Sequence, residues 1–507
     1  MGGGVDPLGM SAAAEVRQRQ GLTRLELALL LAAVVICRVC ALRAVPLYDD
    51  AFITYRYARN LAEGAGLVFN PGEAWEPVLG TTTPAYSVLL ALCGKLGADI
   101  IAASLSINIL CEVGSAWLIA RGFGLRRATS AVALLAFALL PHLVRIGMGG
   151  MEAPLFCLLA LAAASAFARS RFAWAGLFAG LTCTVRPEGV LLVGVLALFS
   201  LGSPRQLLRV CVPIALVGLA TVGLLELFYG DFVPQSVHAK AHMHSAAVGA
   251  ELWQRWQTIL MQSFSPSVAY LPVLPLVALG MLCVLRRPGA PRLFTAFALA
   301  ITASYLAARP HVWGWYFYVP LVAWCIGLGA GFERALEWFQ ARRPALPRWA
   351  RSSVPLVLAI VCGTLCFGLA TSIAPTPIPE KVYAPMQRWA RATSKLHPHA
   401  RILAADIGAI GWAWSGTVLD SEGLTWPQAF LYAHPNEMIE KERPEYVLLV
   451  AERPRVAHFY DAPPAVRAQY VAIARFSAEG ETELEPKLES LSPVWRQEYL
   501  LYKRVDM

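Results

Sequence analysis

Long apolar runs recur along this chain, and they constrain its fold more than any other feature. A helix needs about 20 consecutive apolar residues to cross the core of a bilayer. By this criterion we predict eleven spans, and the first is an uncleaved helix because no small-residue cleavage site follows it. The sequence therefore predicts a polytopic α-helical membrane protein. The predicted spans cover residues 22–42, 101–120, 128–145, 151–169, 171–185, 188–203, 207–229, 267–285, 292–308, 315–333 and 353–373.

The composition agrees with a membrane protein. Of the 507 residues, 57% are hydrophobic and 15% are charged, which is too apolar for a single soluble core. The formal net charge of +9 suits a nucleic-acid partner, but the basic residues form short clusters between apolar runs and no basic stripe is interleaved with aromatics. All 11 cysteines lie in apolar runs, which argues against a disulfide framework. We expect membrane lipid around the chain and no nucleic-acid partner.

The basic clusters orient the predicted spans. Cytoplasmic loops carry an excess of Lys and Arg, and a cytoplasmic N-terminus places the basic loops 121–127, 286–292 and 333–352 inside. The run at residues 84–97 is too short to span, and counting it as a span would put the later basic loops outside. We therefore predict an interfacial or re-entrant helix there. The expected location is the cell (inner) membrane, with multiple passes.

The extracytoplasmic face then collects several loops with ionisable residues. Such residues are costly at a membrane edge and usually face a cavity, so their convergence predicts a functional site. Each loop taken alone is equally compatible with a simple interface anchor. The loops are "YDDAFITYRYARN" (48–60), "RIGMGGME" (145–152), "RPEG" (186–189), "YGDFVPQSVHAK" (229–240) and "RPHVWGWYFY" (309–318).

The chain changes character near residue 376, where it becomes charged and loses spanning runs. "ARILAAD" and "PEYVLLVAE" predict short buried strands, and "PAVRAQYVAIA" predicts a helix. We predict two domains, a transmembrane catalytic domain over residues 1–375 and a small extracytoplasmic soluble α/β domain over residues 376–507.

Asp49 and Asp50 stand side by side at the predicted membrane edge. They suit the start of the helix predicted for "AFITYRYARNLAEG", so helix capping is one interpretation. One Asp suffices as a cap, however, and adjacent carboxylates also suit metal binding or a general base with an orienting partner. At this point both interpretations stay open.

The stretch "DDAFITYRYARNLAEGAGLVFNPGE" resembles the first extracytoplasmic loop of polyprenyl-phosphate-dependent glycosyltransferases of the GT-C superfamily, particularly the branch that includes mycobacterial terminal arabinofuranosyltransferases. The resemblance continues through "GTTTPAYSVLLAL", "GMGGME", "RPEG", "YGDFVPQSVHAK", "DIGAIGW" and "VLDSEGL". It implies a GT-C fold with juxtamembrane helices in the first loop, a polyprenyl-phosphate sugar as donor, and an Asp of that loop as base. Departures at "LGTTTP" and Gln235 leave the sugar and the acceptor open, with arabinofuranose as the nearest analogy.

This resemblance assigns roles on the predicted outer face. Asp49 or Asp50 would take the proton of an acceptor hydroxyl on an extracytoplasmic glycan, lipid or protein, and cations would stabilise the departing phosphate. Arg186 has an alternative structural role as a partner of Glu188 or Glu152. Two carboxylates are too few ligands to decide whether a divalent metal takes part. The candidate phosphate-binding residues are Lys240, Arg186, His238 and Arg145, and the candidate substrate-binding residues are Arg56, Glu152, Glu188, Tyr229, His311 and Trp315.

Two other classes of function compete with a transferase. A lipid or sugar transporter or flippase would also have many spans, but transporters tend to show internal repeats and paired broken helices, and the sequence shows neither convincingly. A scaffold without catalysis would use Asp49 and Asp50 as caps alone. Replacing either Asp by Asn separates these alternatives, because a cap predicts a stability loss of about 1 kcal/mol and no loss of chemistry.

Overall fold

The computed structural model describes residues 21–73, 77–239, 273–308, 314–342, 379–433, 435–450, 468–477, 480–482 and 499–507. Up to residue 342 the described part is helical, and from residue 379 it contains a sheet. Local signals set some helix ends, such as the capping box that Thr23 and Glu26 form at the first helix. The described helices before residue 343 are α1 (Arg24–Ala41), α2 (Asp49–Ala62), α3 (Pro84–Lys95), α4 (Ile100–Trp117), α5 (Arg127–Leu139), α6 (Pro141–Met148), α7 (Ala153–Ala168), α8 (Phe172–Val185), α9 (Gly189–Ser200), α10 (Pro204–Tyr229), α11 (Leu274–Arg286), α12 (Ala290–Ala308) and α13 (Tyr318–Arg342).

Four described helical segments are long and apolar enough to cross a membrane. The bent pair of α5 and α6 makes a fifth if the two helices form one span. Four further apolar helices, α7, α8, α9 and α11, are shorter than the roughly 20 residues that a span requires. The four long segments are Ile100–Gly122, Pro204–Tyr229, Ala290–Ala307 and Gly314–Arg342.

The predicted count of eleven spans is not reproduced by full-length helices in the described part. A hydropathy window reads through backbone breaks, so it does not reveal that the predicted span 128–145 contains two helices, α5 and α6, which meet at 57°. The predicted spans 171–185 and 188–203 correspond to α8 and α9, of 14 and 12 residues. The predicted span 353–373 lies outside the described residues.

The segment between the first two predicted spans contains α2 and α3, which pack against each other. α3 has a proline at its first position, where the missing N–H of proline costs no hydrogen bond. The short helix predicted over residues 84–97 is confirmed as Pro84–Lys95. α2 is buried along most of its length, including Phe52, Tyr55 and Arg56.

The C-terminal part is an α/β unit with one six-stranded sheet in the order β2-β1-β3-β6-β4-β5. β1 runs parallel to β2 and β3, and the remaining pairs are antiparallel. Its helices are α14 (Ala384–Leu396), α15 (Gly408–Ala413) and α16 (Pro435–Glu442). Its strands are β1 (Arg401–Ala404), β2 (Thr417–Asp420), β3 (Tyr446–Val450), β4 (Tyr470–Ser477), β5 (Gly480–Thr482) and β6 (Tyr499–Arg504).

The strands predicted in "ARILAAD" and "PEYVLLVAE" are confirmed as β1 and β3. The helix predicted for "PAVRAQYVAIA" is wrong from Tyr470 onward, because this stretch is β4. Its backbone pairs with β6, which lies further along the chain than a local pattern can show.

One hydrophobic cluster joins the first loop to the C-terminal domain. It contains Phe52 and Tyr55 of α2 together with Ile402 of β1 and Leu448 of β3. A second, larger cluster lies among α1 and the helices from α4 to α13. The C-terminal domain packs on α2 through α15, which brings the residues around Asp49 into contact with this domain.

Candidate active site

Asp49 and Asp50 are the first two residues of α2. The N-cap position belongs to Tyr48, whose side chain makes no cap hydrogen bond, so the structure does not show the alternative in which the acidic pair caps this helix. Both carboxylates lie in the first turn, where the helix dipole stabilises negative charge. Asp50 is exposed, and Asp49 is partly buried.

The carboxylate of Asp49 caps a different helix, α15 of the C-terminal domain. Its Oδ2 accepts a hydrogen bond from the N–H of Gly408 at 2.9 Å, and its Oδ1 accepts one from the N–H of Ala409 at 2.8 Å. Burial, followed by the negative charge of Asp406, raises the pKa of Asp49 to about 7 although the two N–H donors oppose the shift. The group is thus held in one orientation with a pKa suited to a general base at neutral pH.

Two glycines of the "DIGAIGW" segment allow α15 to approach the first loop this closely. A Cβ at Gly408 would lie 1.9 Å from the carbonyl oxygen of Asp49, and a Cβ at Gly411 would lie 2.7 Å from the ring of Phe69. Neither contact is possible for a larger residue without a shift of the neighbouring atoms. Glycine is therefore required at both positions for α15 to pack against the first loop.

Arg56 lies fully inside the same interface, with 1% of its surface exposed. Burial lowers the pKa of this guanidinium to about 9. The structure places this predicted substrate-binding residue as a strap between the first loop and the C-terminal domain, and contact with substrate stays a prediction. Its guanidinium donates to the carbonyl oxygens of Phe69 at 2.6 Å, Gly411 at 2.6 Å, Trp414 at 3.2 Å and Gly416 at 3.2 Å, and to Oδ1 of Asn70 at 3.3 Å.

Arg186 and two predicted substrate-binding carboxylates form a buried cluster at the ends of α7, α8 and α9. Its Nη1 lies 2.9 Å from Oε1 of Glu152, and its Nη2 lies 3.1 Å from Oε1 of Glu188. The hydroxyl of Tyr305 donates to Glu188 at 2.7 Å, and the guanidinium lies 5.0 Å from the ring centre of Tyr316. The structure thus shows the carboxylate pairing that the sequence left as the alternative, and a contact of Arg186 with a donor phosphate stays a prediction.

Two other predicted phosphate-binding residues have exposed side chains. Arg145 is the exposed position of α6, although the residues on either side of it are buried. Burial raises the pKa of Tyr48, and the positive charge of Arg145 opposes this shift, so Arg145 lies near the start of α2. His238 lies further along the chain, with its Nε2 3.4 Å from Oδ2 of Asp231, and both side chains are half-exposed.

The predicted substrate-binding aromatics Tyr229 and Trp315 both contact the first loop. The hydroxyl of Tyr229, at the end of α10, donates to the carbonyl oxygen of Leu67 at 2.7 Å. The ring of Trp315 packs against that of Tyr48 with 4.7 Å between ring centres. Trp315 thus lies beside the residue that precedes Asp49, whereas Tyr229 lies at the far part of the loop.

Lys240 and His311, predicted to bind phosphate and substrate, lie outside the described residues. Within the described ranges, no group of three or more His, Cys, Asp or Glu side chains is arranged to hold a metal ion.

In the part of the chain that is described, the structure brings together Asp49, Asp50, Arg145 and Trp315 at the start of α2, with Arg56 deeper in the same interface.

Sequence reasoning missed three polar residues that hold this region together. Asn70 binds both backbone groups of Val418 in the edge strand β2, accepting from its N–H at 3.0 Å and donating to its carbonyl oxygen at 2.9 Å. Nothing periodic around Asn70 predicts this contact. Arg38 and Glu112 form an ion pair with no exposed surface. Their signal was present, because each is an ionisable residue inside a predicted span.

Solved structures share this fold. ArnT from Cupriavidus metallidurans bound to undecaprenyl phosphate has a TM-score of 0.60 at 12% identity, over 94% of this chain and 97% of that chain. The archaeal oligosaccharyltransferase AglB from Archaeoglobus fulgidus, in complex with an inhibitory peptide and a dolichol-phosphate, has a TM-score of 0.51 at 12% identity, over 92% and 75%. The arabinofuranosyltransferase AftD from Mycobacteria has a TM-score of 0.52 at 15% identity, over 96% of this chain and 40% of AftD.

These proteins are GT-C glycosyltransferases, and the likeness shows that the chain has the GT-C fold, as the sequence predicted. Together with the long apolar helices, the fold supports a membrane location. A family model described as "Domain of unknown function (DUF8728)" matches residues 377–502 of the C-terminal domain. A comparison with curated protein sequences finds no match.

Proposed function

We propose that the protein is a membrane glycosyltransferase that moves a sugar from a polyprenyl phosphate to an extracytoplasmic acceptor glycan, lipid or protein. The observation that carries the proposal is the carboxylate of Asp49, which two backbone N–H groups orient and whose pKa is raised to about 7. The GT-C fold adds support, since ArnT and AglB were solved with undecaprenyl phosphate and a dolichol-phosphate. A lipid carrier also explains how an activated sugar reaches a site outside the cell.

In the proposed reaction a first-loop Asp acts as the general base. The acceptor hydroxyl gives its proton to the carboxylate of Asp49 while its oxygen forms a bond to the anomeric carbon of the donor sugar. The bond between that carbon and the phosphate oxygen breaks, and the polyprenyl phosphate departs with the electron pair. Asp50, exposed on the next position of α2, is proposed to orient the acceptor or to share the base role.

The departing phosphate needs positive charge. Arg145 supports this role in the described part of the chain, because it is exposed and acts electrostatically on Tyr48, the residue before Asp49. Arg186 is less suited, because its guanidinium is buried and already paired with Glu152 and Glu188. We therefore propose Arg145 as the phosphate-binding cation, with Lys240 and His238 as further candidates.

The C-terminal domain is proposed to fix the base rather than only to cover the site. α15 supplies the two N–H groups that hold Asp49, and Asp406 supplies the negative charge that helps raise its pKa. In this proposal the domain lies outside the cell, residues 1–375 form the transmembrane catalytic domain, and the N-terminus is cytoplasmic. Sugar transfer would then depend on the docking of residues 376–507.

The test is sugar transfer in membrane vesicles supplied with a panel of polyprenyl-phosphate pentoses and hexoses. The wild type is compared with Asp49→Asn, Asp50→Asn and a control, Glu63→Gln, at the other end of α2 and at matched expression. A general base contributes about 10²–10⁴-fold to a rate, so we expect Asp49→Asn to lose at least about 100-fold. Glu63→Gln should transfer sugar like the wild type.

Two results would contradict the proposal. One is that the wild type consumes no donor of the panel while the purified chain is folded and membrane-inserted. The other is that both Asn variants transfer sugar as fast as the wild type, which would remove the base role. Movement of the lipid-linked sugar across the vesicle without transfer would instead favour a transporter or flippase.

A further inference from the structure

The helix that begins at Arg127 is broken before it reaches the candidate active site. α5 ends at Leu139, Leu140 takes an extended conformation, and Pro141 starts α6 at an angle of 57°. Pro141 has no N–H, so the carbonyl oxygen of Phe137, four residues earlier, cannot receive its usual helical hydrogen bond. A break of this kind inside an apolar region leaves carbonyl groups that need other donors.

Arg38 of α1 supplies those donors. Its Nη2 donates to the carbonyl oxygen of Phe137 at 3.0 Å, and its Nη1 donates to that of Ala138 at 2.6 Å. Its Nε lies 2.5 Å from Oε2 of Glu112 on α4, and both side chains have no exposed surface. The guanidinium thus caps the broken end of α5 while the carboxylate neutralises its charge.

Glu112 also contacts α6 directly. A Cβ at Gly147 would lie 2.4 Å from Oε1 of Glu112, so α6 reaches the carboxylate only because this position is glycine. The hydroxyl of Tyr318 at the start of α13 donates to the same oxygen. Four helices, α1, α4, α6 and α13, therefore meet at one buried ion pair beside the break.

Two further side chains of α4 continue this contact along the same helix face. Asn108, one turn before Glu112, donates through Nδ2 to the carbonyl oxygens of Gly147 and Met151, each at 2.9 Å. Ser104, another turn earlier, donates to the carbonyl oxygen of Gly150 at 3.1 Å. This polar stripe of α4 fixes α6 and the turn that follows it.

The turn after α6 is bound to α2 at the candidate site. The N–H of Tyr48 donates to the carbonyl oxygen of Gly149 at 2.9 Å, and the hydroxyl of Tyr55 donates to that of Gly150 at 3.0 Å. A displacement of α6 would therefore move Arg145, which α6 carries, relative to Asp49.

We infer that Arg38 and Glu112 are positioning residues for the active site: their ion pair caps the break between α5 and α6 and so places Arg145 where it meets the phosphate of the lipid donor. This inference rests on the proposed function. Neither residue touches a reacting atom, and their effect passes through α6. Ordinary membrane packing would not need this arrangement, since an apolar pair of similar volume is often as stable as a buried ion pair.

The experiment compares wild type, Arg38→Met, Arg38→Lys and Glu112→Gln in detergent. Arg127→Met is the matched control, because Arg127 joins the same two helices, α1 and α5, at the other end through Glu26. Hydrogen exchange of the amides of residues 141–150 reports the position of α6 without any catalysis. Binding of undecaprenyl phosphate alone, measured by tryptophan fluorescence, reports the phosphate site.

We expect Arg38→Met to speed exchange at residues 141–150 and to weaken binding of undecaprenyl phosphate about tenfold or more, the change expected for one misplaced charge-assisted hydrogen bond. Glu112→Gln keeps the side-chain shape and should show the same changes more weakly. It serves as the test if Arg38→Met does not fold. Arg38→Lys keeps the charge without the guanidinium fork, so it should recover only part of both properties. Arg127→Met should match the wild type.

Unchanged exchange and unchanged binding in Arg38→Met would overturn the inference. Full recovery in Arg38→Lys would also overturn it, because charge alone would then suffice without capping of the carbonyl groups. Faster exchange with unaltered binding would show that the position of α6 does not determine binding of the donor phosphate, and the inference would fail. If the wild type itself binds no undecaprenyl phosphate, the lipid-donor proposal fails, and the exchange data show separately whether Arg38 holds α6.

Discussion

The two ends of the helical domain carry the same types of charged residue in different surroundings. Where α5 begins, Arg127 pairs with Glu26, and the two side chains are 52% and 32% exposed. At the opposite end, Arg56 within α2 and Arg186 between α8 and α9 are buried, and the contacts described for them are with protein oxygens and aromatic rings. Exposed ion pairs contribute little, whereas a buried charge that loses its partners is costly.

This difference in burial shows in which part of the molecule charged side chains fix the positions of neighbouring segments. At the α2 end the charges hold backbone groups from distant parts of the chain, as Arg56 does for the carbonyl groups around α15. At the α5 end the pair of Arg127 and Glu26 is partly exposed, so it can rearrange with little loss of packing. A site that must hold a base and a phosphate in fixed positions is therefore expected at the α2 end.

The largest effect should come from removing the Arg56 strap. Arg56→Met keeps an unbranched side chain but leaves several buried carbonyl oxygens without a donor, so we expect a stability loss on the order of 3 kcal/mol or more. Thermal unfolding and limited proteolysis in detergent measure it. Arg59→Met is the control on the same helix, since Arg59 is less buried and donates to the carbonyl oxygen of Trp412 at 2.8 Å.

Equal losses in Arg56→Met and Arg59→Met would contradict the view that the strap holds the first loop to the C-terminal domain. A stability loss confined to Arg56→Met, with faster proteolysis between the helical part and the C-terminal domain, would support the role of Arg56 in this contact.

The second prediction concerns pH and the Asp49 base. The ionised form is the base and its pKa is raised to about 7, so the rate of transfer should fall about tenfold for each pH unit below about 7 and level off above it. Asp406→Asn removes a negative charge that raises this pKa, so the midpoint should move to lower pH. The measurement is kcat/KM of transfer against pH in vesicles.

A rate that is flat between about pH 5 and 7 would mean that the base titrates in the ordinary range of an exposed carboxyl, near 3.9. Asp50, which is exposed, would then be the better candidate.

The smallest effect is expected at the opposite end. Arg127→Met removes a surface pair with Glu26, so the unfolding temperature and the rate of transfer should both match the wild type within error. If Arg127→Met lost as much stability as Arg56→Met, burial of the charged residues would not be what distinguishes the two ends.

The sequence by itself determined the class of structure. Long apolar runs require membrane helices, since an unpaired backbone is too costly in lipid. The short strands β1 and β3 and the helix α3 were also predictable, because each is a compact run between clear start and stop signals. The order of weak motifs along the chain was enough to predict the GT-C fold.

The tertiary structure alone decided which charges meet. Asp49 accepts hydrogen bonds from Gly408 and Ala409, about 360 positions further along the chain. Arg186 pairs with two carboxylates and is shielded from solvent. β4 is a strand because β6 pairs with it. Periodicity and hydropathy describe one segment at a time, whereas burial, pairing and pKa depend on distances between segments that are brought together only when the chain folds.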